Sequence, residues 1–412
     1  MGTKNEFADS NKKFLGFDTK KIFNNVFFIG LLSFFGGISQ DMFVPVLPLY
    51  LANFLGFDKS FIGLTEGLVT SSSSIFKIVA GFLSDKFKAR KPIVFVGYFF
   101  SFISRPLLAI FASPFAISAL RFLDGAGKGI KDSPKDALIS ESAELKTRGR
   151  SFGVVRALDT LGSVAGPLIL FLLLYLLRNN VLKYHYIFLF SAIPLIFTLG
   201  IIYIFVKETP IKITEAAENP ISLKLPKEFY IFLGIMTLFA IGNPSDAFLI
   251  LRAQNVGVTL LAIPLVYALF NFFYAAASIP LGSLSDKIGR EKVILIGWVS
   301  YALAYLGFAF ADKSYQIWLL FAFYGIYYAT TQGVAKAFVA DLTEVGHRGR
   351  AYGIYNSVIG LISLPASMIA GWLWDKYNPG VPFYFGAIIA AISAILLLMF
   401  VKFYYNKDTI KA

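Results

Sequence analysis

Residues Gly81 to Lys91 read GFLSDKFKARK, and residues Gly282 to Lys292 read GSLSDKIGREK. A second pair of segments, TRGRSFG ending at Gly153 and HRGRAYG ending at Gly353, keeps nearly the same offset of about two hundred residues. Two copies in one order mark a duplicated unit. Both copies stand among long apolar stretches, so the unit is a membrane one. Parallel repeats of this kind are related by an axis along the membrane normal and leave an interface between the halves.

Composition agrees. The 412 residues are 57% hydrophobic and 15% charged, and the mean hydropathy is +0.67. At that ratio a soluble chain could not cover its apolar surface. The 44 Phe and 21 Tyr suit lipid-facing helices and interfacial belts. Reading apolar runs of about 20 residues as spans yields about twelve. They lie near 22–53, 60–86, 91–111, 113–142, 149–176 and 184–206, then near 228–254, 257–286, 291–311, 314–342, 349–376 and 380–405. With no cysteine, disulfides, thiolate zinc sites and cysteine catalysis are excluded. With only His185 and His347, no histidine metal site or triad is expected. The expectation is a protein without metal or cofactor, and not an enzyme.

The net charge of +13 would suggest nucleic acid in a soluble protein. Here the bases alternate with the spans. Lys86, Lys88, Arg90 and Lys91, then Lys146, Arg148 and Arg150, then Lys287, Arg290 and Lys292, then Arg348 and Arg350 stand on one set of loops. The other set offers little beyond Lys59, Arg178, Lys183, Lys313 and Lys376. The basic excess is therefore a topology signal that puts both termini in the cytoplasm, and no nucleic-acid partner is expected. Residues 1–21 read as a cytoplasmic lead-in, 22–206 as an N-terminal six-helix bundle and 207–227 as a cytoplasmic linker rich in proline and charge. Residues 228–405 read as a C-terminal six-helix bundle and 406–412 as a cytoplasmic tail.

The repeated loop resembles the signature of the major facilitator superfamily: a Gly, an acidic residue four positions on, then a short basic run. Gly81, Asp85, Lys86, Arg90 and Lys91 match it in the first half; Gly282, Asp286, Lys287, Gly289 and Arg290 match it in the second. The first copy has Lys88 where a second Gly is usual and Ala89 where an Arg is usual. Those departures weaken the tight turn and one charge contact. The resemblance implies an all-α membrane protein of twelve transmembrane helices in two six-helix pseudo-symmetric bundles, working by alternating access. Glycine lets two helices approach. The Asp can cap a helix N-terminus or pair with a base, holding the cytoplasmic side closed.

Span 4 reads RFLDGAGKGIKDSPKDALISES. Arg121, Asp124, Lys128, Asp132 and Lys135 fall on one helical stripe. Facing lipid, each charge near mid-bilayer costs roughly 2.5–3.5 kcal/mol, so the stripe is expected to face a central cavity or other helices. In span 5, Gly162, Gly166 and Pro167 resemble the antiporter-branch signature, in which this segment packs against helix 8; Arg156 and Asp159 share a face. In span 1, Asp41 before Pro45 and Pro48 resembles the pattern of drug:proton antiporters. A carboxylate desolvated there can take up a proton. Glu66 is a second candidate, nearer the outer face, and Arg105 reads as the cationic neighbour of either. The second half offers Asn243, Pro244, Asp246 and Arg252 in span 7, with Lys336 in span 10. Pro244 can break its helix and free carbonyls for a ligand.

The reading is a monomeric secondary transporter in a prokaryotic inner membrane, with lipid, a small-molecule substrate and protons as partners. Proton-coupled export of an organic solute leads. The alternatives are carriage of an organic anion or metal chelate by symport or uniport, and a transporter-like receptor without flux. One polar cluster of Asp41, Arg105, Arg121, Asp124, Lys128, Arg156 and Asp159 is expected on the cavity side of the N-half.

Overall fold

The computed structural model describes residues 13–14, 17–18, 25–143, 148–208, 225–344 and 347–403. The expected linker at 207–227 lies mostly outside the described residues, the tail at 406–412 lies wholly outside them, and of the lead-in only a two-residue strand pair is described.

Twelve helical spans follow in chain order. In the N-half they are α1 (Asn25–Phe43, continued after a turn by Leu47–Leu49 and a π-helical turn Tyr50–Phe54), α2 (Lys59–Lys86), α3 (Lys91–Leu108), α4 (Pro114–Ser142), α5 (Arg148–Leu176) and α6 (Lys183–Ile204). The C-half holds α7 (in two pieces, Lys227–Ile241 and Ala247–Asn255), α8 (Ile263–Ile288), α9 (Arg290–Phe310), α10 (Ser314–Asp341), α11 (Arg348–Lys376) and α12 (Val381–Phe403). Eight of these are long and apolar enough to cross a membrane by length and composition. The other four fall short for visible reasons. Span α3 is short and contains Arg105, α4 bears eight charged side chains, α7 is broken, and α10 is rich in Tyr, Thr and Gln.

Both breaks are sequence-coded. Proline removes an amide donor and clashes with the preceding turn. Span α1 breaks at Val44–Val46, around Pro45. Span α7 breaks after Ile241, at Gly242, Asn243 and Pro244. The carbonyl this exposes at Gly242 is not left for a ligand: Tyr301 Oη donates to it at 2.7 Å.

Because the spans alternate in direction, the α2–α3 and α8–α9 loops share one face, here called the loop face. The two loops differ in length, residues 87–90 in the first and Gly289 alone in the second, yet share a backbone feature. In the second, Gly289 has φ 103°, and its counterpart Lys88 has φ 51°. The turn therefore survives without the usual glycine, but a lysine is held in the left-handed region. The missing arginine is also compensated. Arg90, one position later, reaches Asp85 Oδ1 (2.6 Å) and Glu141 Oε1 at the end of α4 (3.1 Å). In the second copy Arg290 reaches Asp286 Oδ1 (3.7 Å) and Asp341 Oδ2 at the end of α10 (2.7 Å). The loop thus ties α2 to α4, and α8 to α10, inside each half. A further contact was not foreseen: Glu208, just past α6, accepts from the Arg90 and Lys91 amides (2.8 and 2.9 Å) and caps α3.

Small residues set the helix spacing. A Cβ at Gly162 would lie 2.2 Å from the Phe34 carbonyl oxygen, and one at Gly166 would lie 2.7 Å from that of Ile38. These glycines therefore press α5 onto α1, not onto α8 as the antiporter resemblance implied; Pro167 lies inside the unbroken α5. The α5–α8 contact is made instead by neighbouring side chains, with Asn271 Nδ2 donating to the Ser163 carbonyl (3.1 Å). Gly81 does allow close approach, since a Cβ there would lie 3.0 Å from Ser133 Oγ, whereas Gly282 faces open space.

Replacing Lys88 by Gly is expected to stabilise the protein by about 0.5–1 kcal/mol, since relief of the left-handed backbone outweighs the added chain entropy. Thermal unfolding of the detergent-solubilised protein measures this. In the same assay Arg90→Ala should cost about 2 kcal/mol and Arg290→Ala less than about 1, because Arg90 is buried among its partners and Arg290 is partly wet. Equal losses would show that burial does not separate the two loops.

Candidate functional site

A cavity of about 550 Å³ lies between the halves. Residues of α1 to α5 line one wall, and the α7 break, α8 and α10 line the other. It joins a second cavity of about 600 Å³ through Arg156, Tyr274 and Lys336, and the latter reaches Gly282, Asp286 and Arg290 at the loop face. The site is open on that side.

At the opposite face it is closed. Asp375, at the end of α11, accepts from the Lys59 amide (3.0 Å), the Ser60 amide (2.7 Å) and Ser60 Oγ (2.7 Å) at the start of α2. A carboxylate of the C-half thus caps a helix of the N-half. Asn53 Nδ2 donates to Gln254 Oε1 across the same seam (2.8 Å). Below it α2 and α11 nearly touch: a Cβ at Gly63 would meet the Ser367 carbonyl at 2.1 Å, and one at Gly371 would meet that of Lys59 at 2.2 Å. Nearest the loop face, the halves are joined by Arg156 Nη2 donating to Tyr274 Oη (3.0 Å).

The charged stripe of α4 turns inward. Asp124 is fully buried and has Lys128 Nζ at 3.2 Å, Arg121 at 3.6 Å and Arg105 at 3.8 Å. Arg121 also holds Glu66 Oε1 at 2.5 Å, and Glu66 Oε2 accepts from Ser245 Oγ at the α7 break (3.3 Å). Glu66 stands in the far-face part of α2, as expected, but its base is Arg121, not Arg105. Arg105 donates to Ser39 Oγ and to Gln40 Oε1 (3.0 Å) instead. Both guanidiniums lie over the ring of Phe43, at 5.4 and 5.6 Å from its centroid. Asp41, one turn before the α1 break, is 7% exposed and lines the cavity beside Ser163. It has no ion-pair partner among the described residues.

Towards the loop face stands a second charged band. Lys77 pairs with Asp132 (3.5 Å), Lys131 lies over the Tyr98 ring (4.2 Å), and Lys135 donates to Ser33 Oγ (3.4 Å). Arg156 pairs with Asp159 (3.1 Å) at the rim. The expected single cluster is therefore divided into a buried knot around Asp124 and an outer band. Arg252 belongs to neither. Its guanidinium donates to the Phe308, Ala309 and Ala311 carbonyls (2.9, 3.1 and 2.8 Å) and so ties down the end of α9. Lys336 does face the cavity. Asn243 donates to Tyr327 Oη (3.2 Å), and Asp246 accepts from Tyr324 and Tyr328. Lys131 and Asp136, which the sequence reading missed, continue the α4 stripe at helical spacing and were readable from it. Lys77, Ser39 and Asp375 carried no such signal.

The Major Facilitator Superfamily model matches residues 29–251 and 230–409. The chain is 39% identical over 398 residues to an uncharacterised MFS-type transporter of Methanocaldococcus jannaschii, covering 95% of this chain and 98% of that one. This chain belongs to the major facilitator superfamily. A proton-coupled antiporter flippase (LtaA) of Staphylococcus epidermidis is 24% identical over 387 residues, covering 87% of this chain and 91% of that one. The fold matches a solved nucleoside transporter, NupG, with a TM-score of 0.77 at 14% identity, covering 93% of this chain and all of that one. It also matches a D-xylose–proton symporter with a TM-score of 0.74 at 18% identity, covering 91% and 98%. As a superfamily member the protein is a multi-pass membrane transporter. The cavity between its halves is where a solute path is found in such proteins.

Removing the carboxylate that spans the closed seam tests its part in the closure. In the Asp375→Ala variant, the open-seam population should rise by about tenfold, from loss of about 1–2 kcal/mol of charge-assisted hydrogen bonding. The chain has no cysteine of its own. Spin labels on Ala112→Cys and Asp312→Cys would report the change as a longer distance in pulsed electron resonance. An unchanged distribution would leave closure to the α2–α11 packing and the Asn53–Gln254 bond.

Proposed function

We propose that this transporter couples export of a small organic solute to proton entry, with the loop face in the cytoplasm of a prokaryotic inner membrane. Alternating access would carry the cavity from loop-face-open to far-face-open. The basic residues on the loop face support this orientation, and the cavity formed within one chain supports action as a monomer.

The observation that carries the coupling is a charge balance. Arg105, Arg121 and Lys128 bring three positive charges to the buried knot, and Asp124 and Glu66 bring two negative ones through direct contacts. Asp41, whose nearest bases by field are Lys128 and Arg105, completes neutrality when ionised. Protonating Asp41 leaves the knot with one excess positive charge. A carboxylate without a direct ion-pair partner, facing an accessible cavity, is the group whose proton can exchange with solvent. Conformational change that alters its distance from Lys128 then moves a proton, which is coupling in the thermodynamic sense. Asp124, enclosed by three bases, holds them in place. Asp85 and Asp286 would act as switchable links at the loop face: here each binds within its own half, as an open face requires.

A second reading draws on the cavity lining. Lys77, Lys128, Lys131, Lys135, Arg156 and Lys336 outnumber Asp41, Asp132, Asp136, Asp159 and Asp246 by six to five. With Asp41 protonated the excess grows, which favours an organic anion or a metal chelate. Flux separates either carrier from a receptor that binds without moving solute.

Proteoliposomes loaded with a pH-sensitive dye, challenged with organic acids, chelates, cationic dyes and zwitterionic amines, should show lumenal pH changes for at least one class. With that solute, Asp41→Asn should lower proton-driven flux by about 100-fold while binding persists. A normal pH profile in that variant would move the coupling role to Glu66.

A further inference from the structure

The coupling reading uses N-half charges and gives no role to Asp246, the cavity carboxylate of the C-half. Asp246 stands at the break of α7 and lines the cavity from the C-half side. Tyr324 Oη donates to its Oδ1 at 2.9 Å, and Tyr328 Oη donates to its Oδ2 at 2.8 Å. These hydroxyls orient the carboxylate without neutralising it. Asp246 has no ion-pair partner among the described residues, and the charged group that acts on it most is Glu66, another carboxylate.

Its surroundings are aromatic. Tyr267, Phe270, Tyr274 and Tyr328 line the same cavity. Phe270 and Tyr328 meet edge to face at 5.1 Å, and Tyr274 meets Tyr328 at 5.7 Å and 76°, so Tyr328 stands across the nearly parallel rings of Phe270 and Tyr274. Ring faces carry the negative side of the aromatic quadrupole. A carboxylate set in such a wall suits a weakly hydrated organic cation. An inorganic cation is a poor match, because a hard ion takes six or more oxygen ligands, and no cluster able to hold a metal occurs among the described residues. The opposite wall presents Lys128, Lys131 and Lys135 of α4.

We propose that Asp246, with Tyr267, Phe270, Tyr274 and Tyr328, is a subsite for an organic ammonium group, with Tyr324 orienting the carboxylate from behind. The transported solute is then dipolar, with its ammonium on the C-half wall and its anionic group at the α4 lysines. This deepens the transport reading by assigning the solute class, and it rests on the cavity being the solute site.

Phosphocholine, choline and 3,3-dimethylbutyl phosphate serve as probes; the last keeps the shape and the anion of phosphocholine but lacks the ammonium charge. Titration calorimetry on the full-length purified protein should show phosphocholine binding at least about tenfold more tightly than the isostere without the ammonium, a ratio set by desolvated cation–aromatic and charge attraction. Choline, which lacks the anionic end, should bind more weakly than phosphocholine. Asp246→Asn should sharply lower the phosphocholine-to-isostere ratio, leaving only the part due to the rings. Tyr274→Leu, which removes one ring and leaves the carboxylate, should reduce the ratio and covers the case in which Asp246→Asn fails to fold. The proposal is overturned by a ratio near one in the unmodified protein, by a ratio that survives Asp246→Asn, by choline matching phosphocholine, or by absence of phosphocholine binding. Binding without any proton-linked flux would sink the coupling reading and leave the subsite standing, so the two failures are separable.

Discussion

Eight charged side chains on α4 cannot face hydrocarbon, and the rest of the structure follows from where they go. Each would cost a few kcal/mol against lipid tails, so the helix is turned until Arg121, Asp124, Lys128, Lys131, Asp132 and Lys135 look inward. Burial then demands partners. Arg105 from α3, Glu66 from α2 and the ring of Phe43 from α1 converge on Asp124 and Arg121, which draws four helices around one knot. Close packing at Gly162 and Gly166 brings α5 against α1 and places Ser163 beside Asp41. A polar interior in the N-half is thus both a packing constraint and the source of its chemistry.

The duplicated halves have diverged in what they bury. The N-half interior is ionic. In the C-half, Tyr301, Tyr305, Tyr324 and Tyr327 are nearly fully buried and packed against one another, with Tyr301 and Tyr305 stacked at 4.0 Å between ring centroids. The hydroxyls of Tyr301, Tyr324 and Tyr327 are used on the broken α7, at Gly242, Asp246 and Asn243. The loops show the opposite tendency, keeping their function while changing residues. An arginine bridges the loop Asp to an acid at the end of the fourth helix of each half, although it stands one position later in the first copy.

The two faces of the protein are held by different physics. At the loop face, charges pair within each half and leave the cavity open. At the far face, a C-half carboxylate caps an N-half helix, and backbones approach at Gly63 and Gly371. A seam made of a few charge-assisted bonds and shape-matched backbone can be remade elsewhere at modest cost. That is what a two-state transporter requires.

The sequence alone determined the duplication, the spans, the family and the inward-facing stripe of α4. Each of these is local: an apolar run of bilayer length, a loop repeated in order, a helical period of charges. It also marked the α7 break, because Pro244 acts on its own backbone. Pairing was decided only in three dimensions. Glu66 found Arg121, Arg105 found Ser39 and Gln40, Arg252 went to the end of α9, and Asp375 reached across to α2. Nothing in spacing along one helix says which side chain another helix will bring alongside. Depth, helix rotation and the glycine-set distance between helices fix that, and they exist only once the halves have packed.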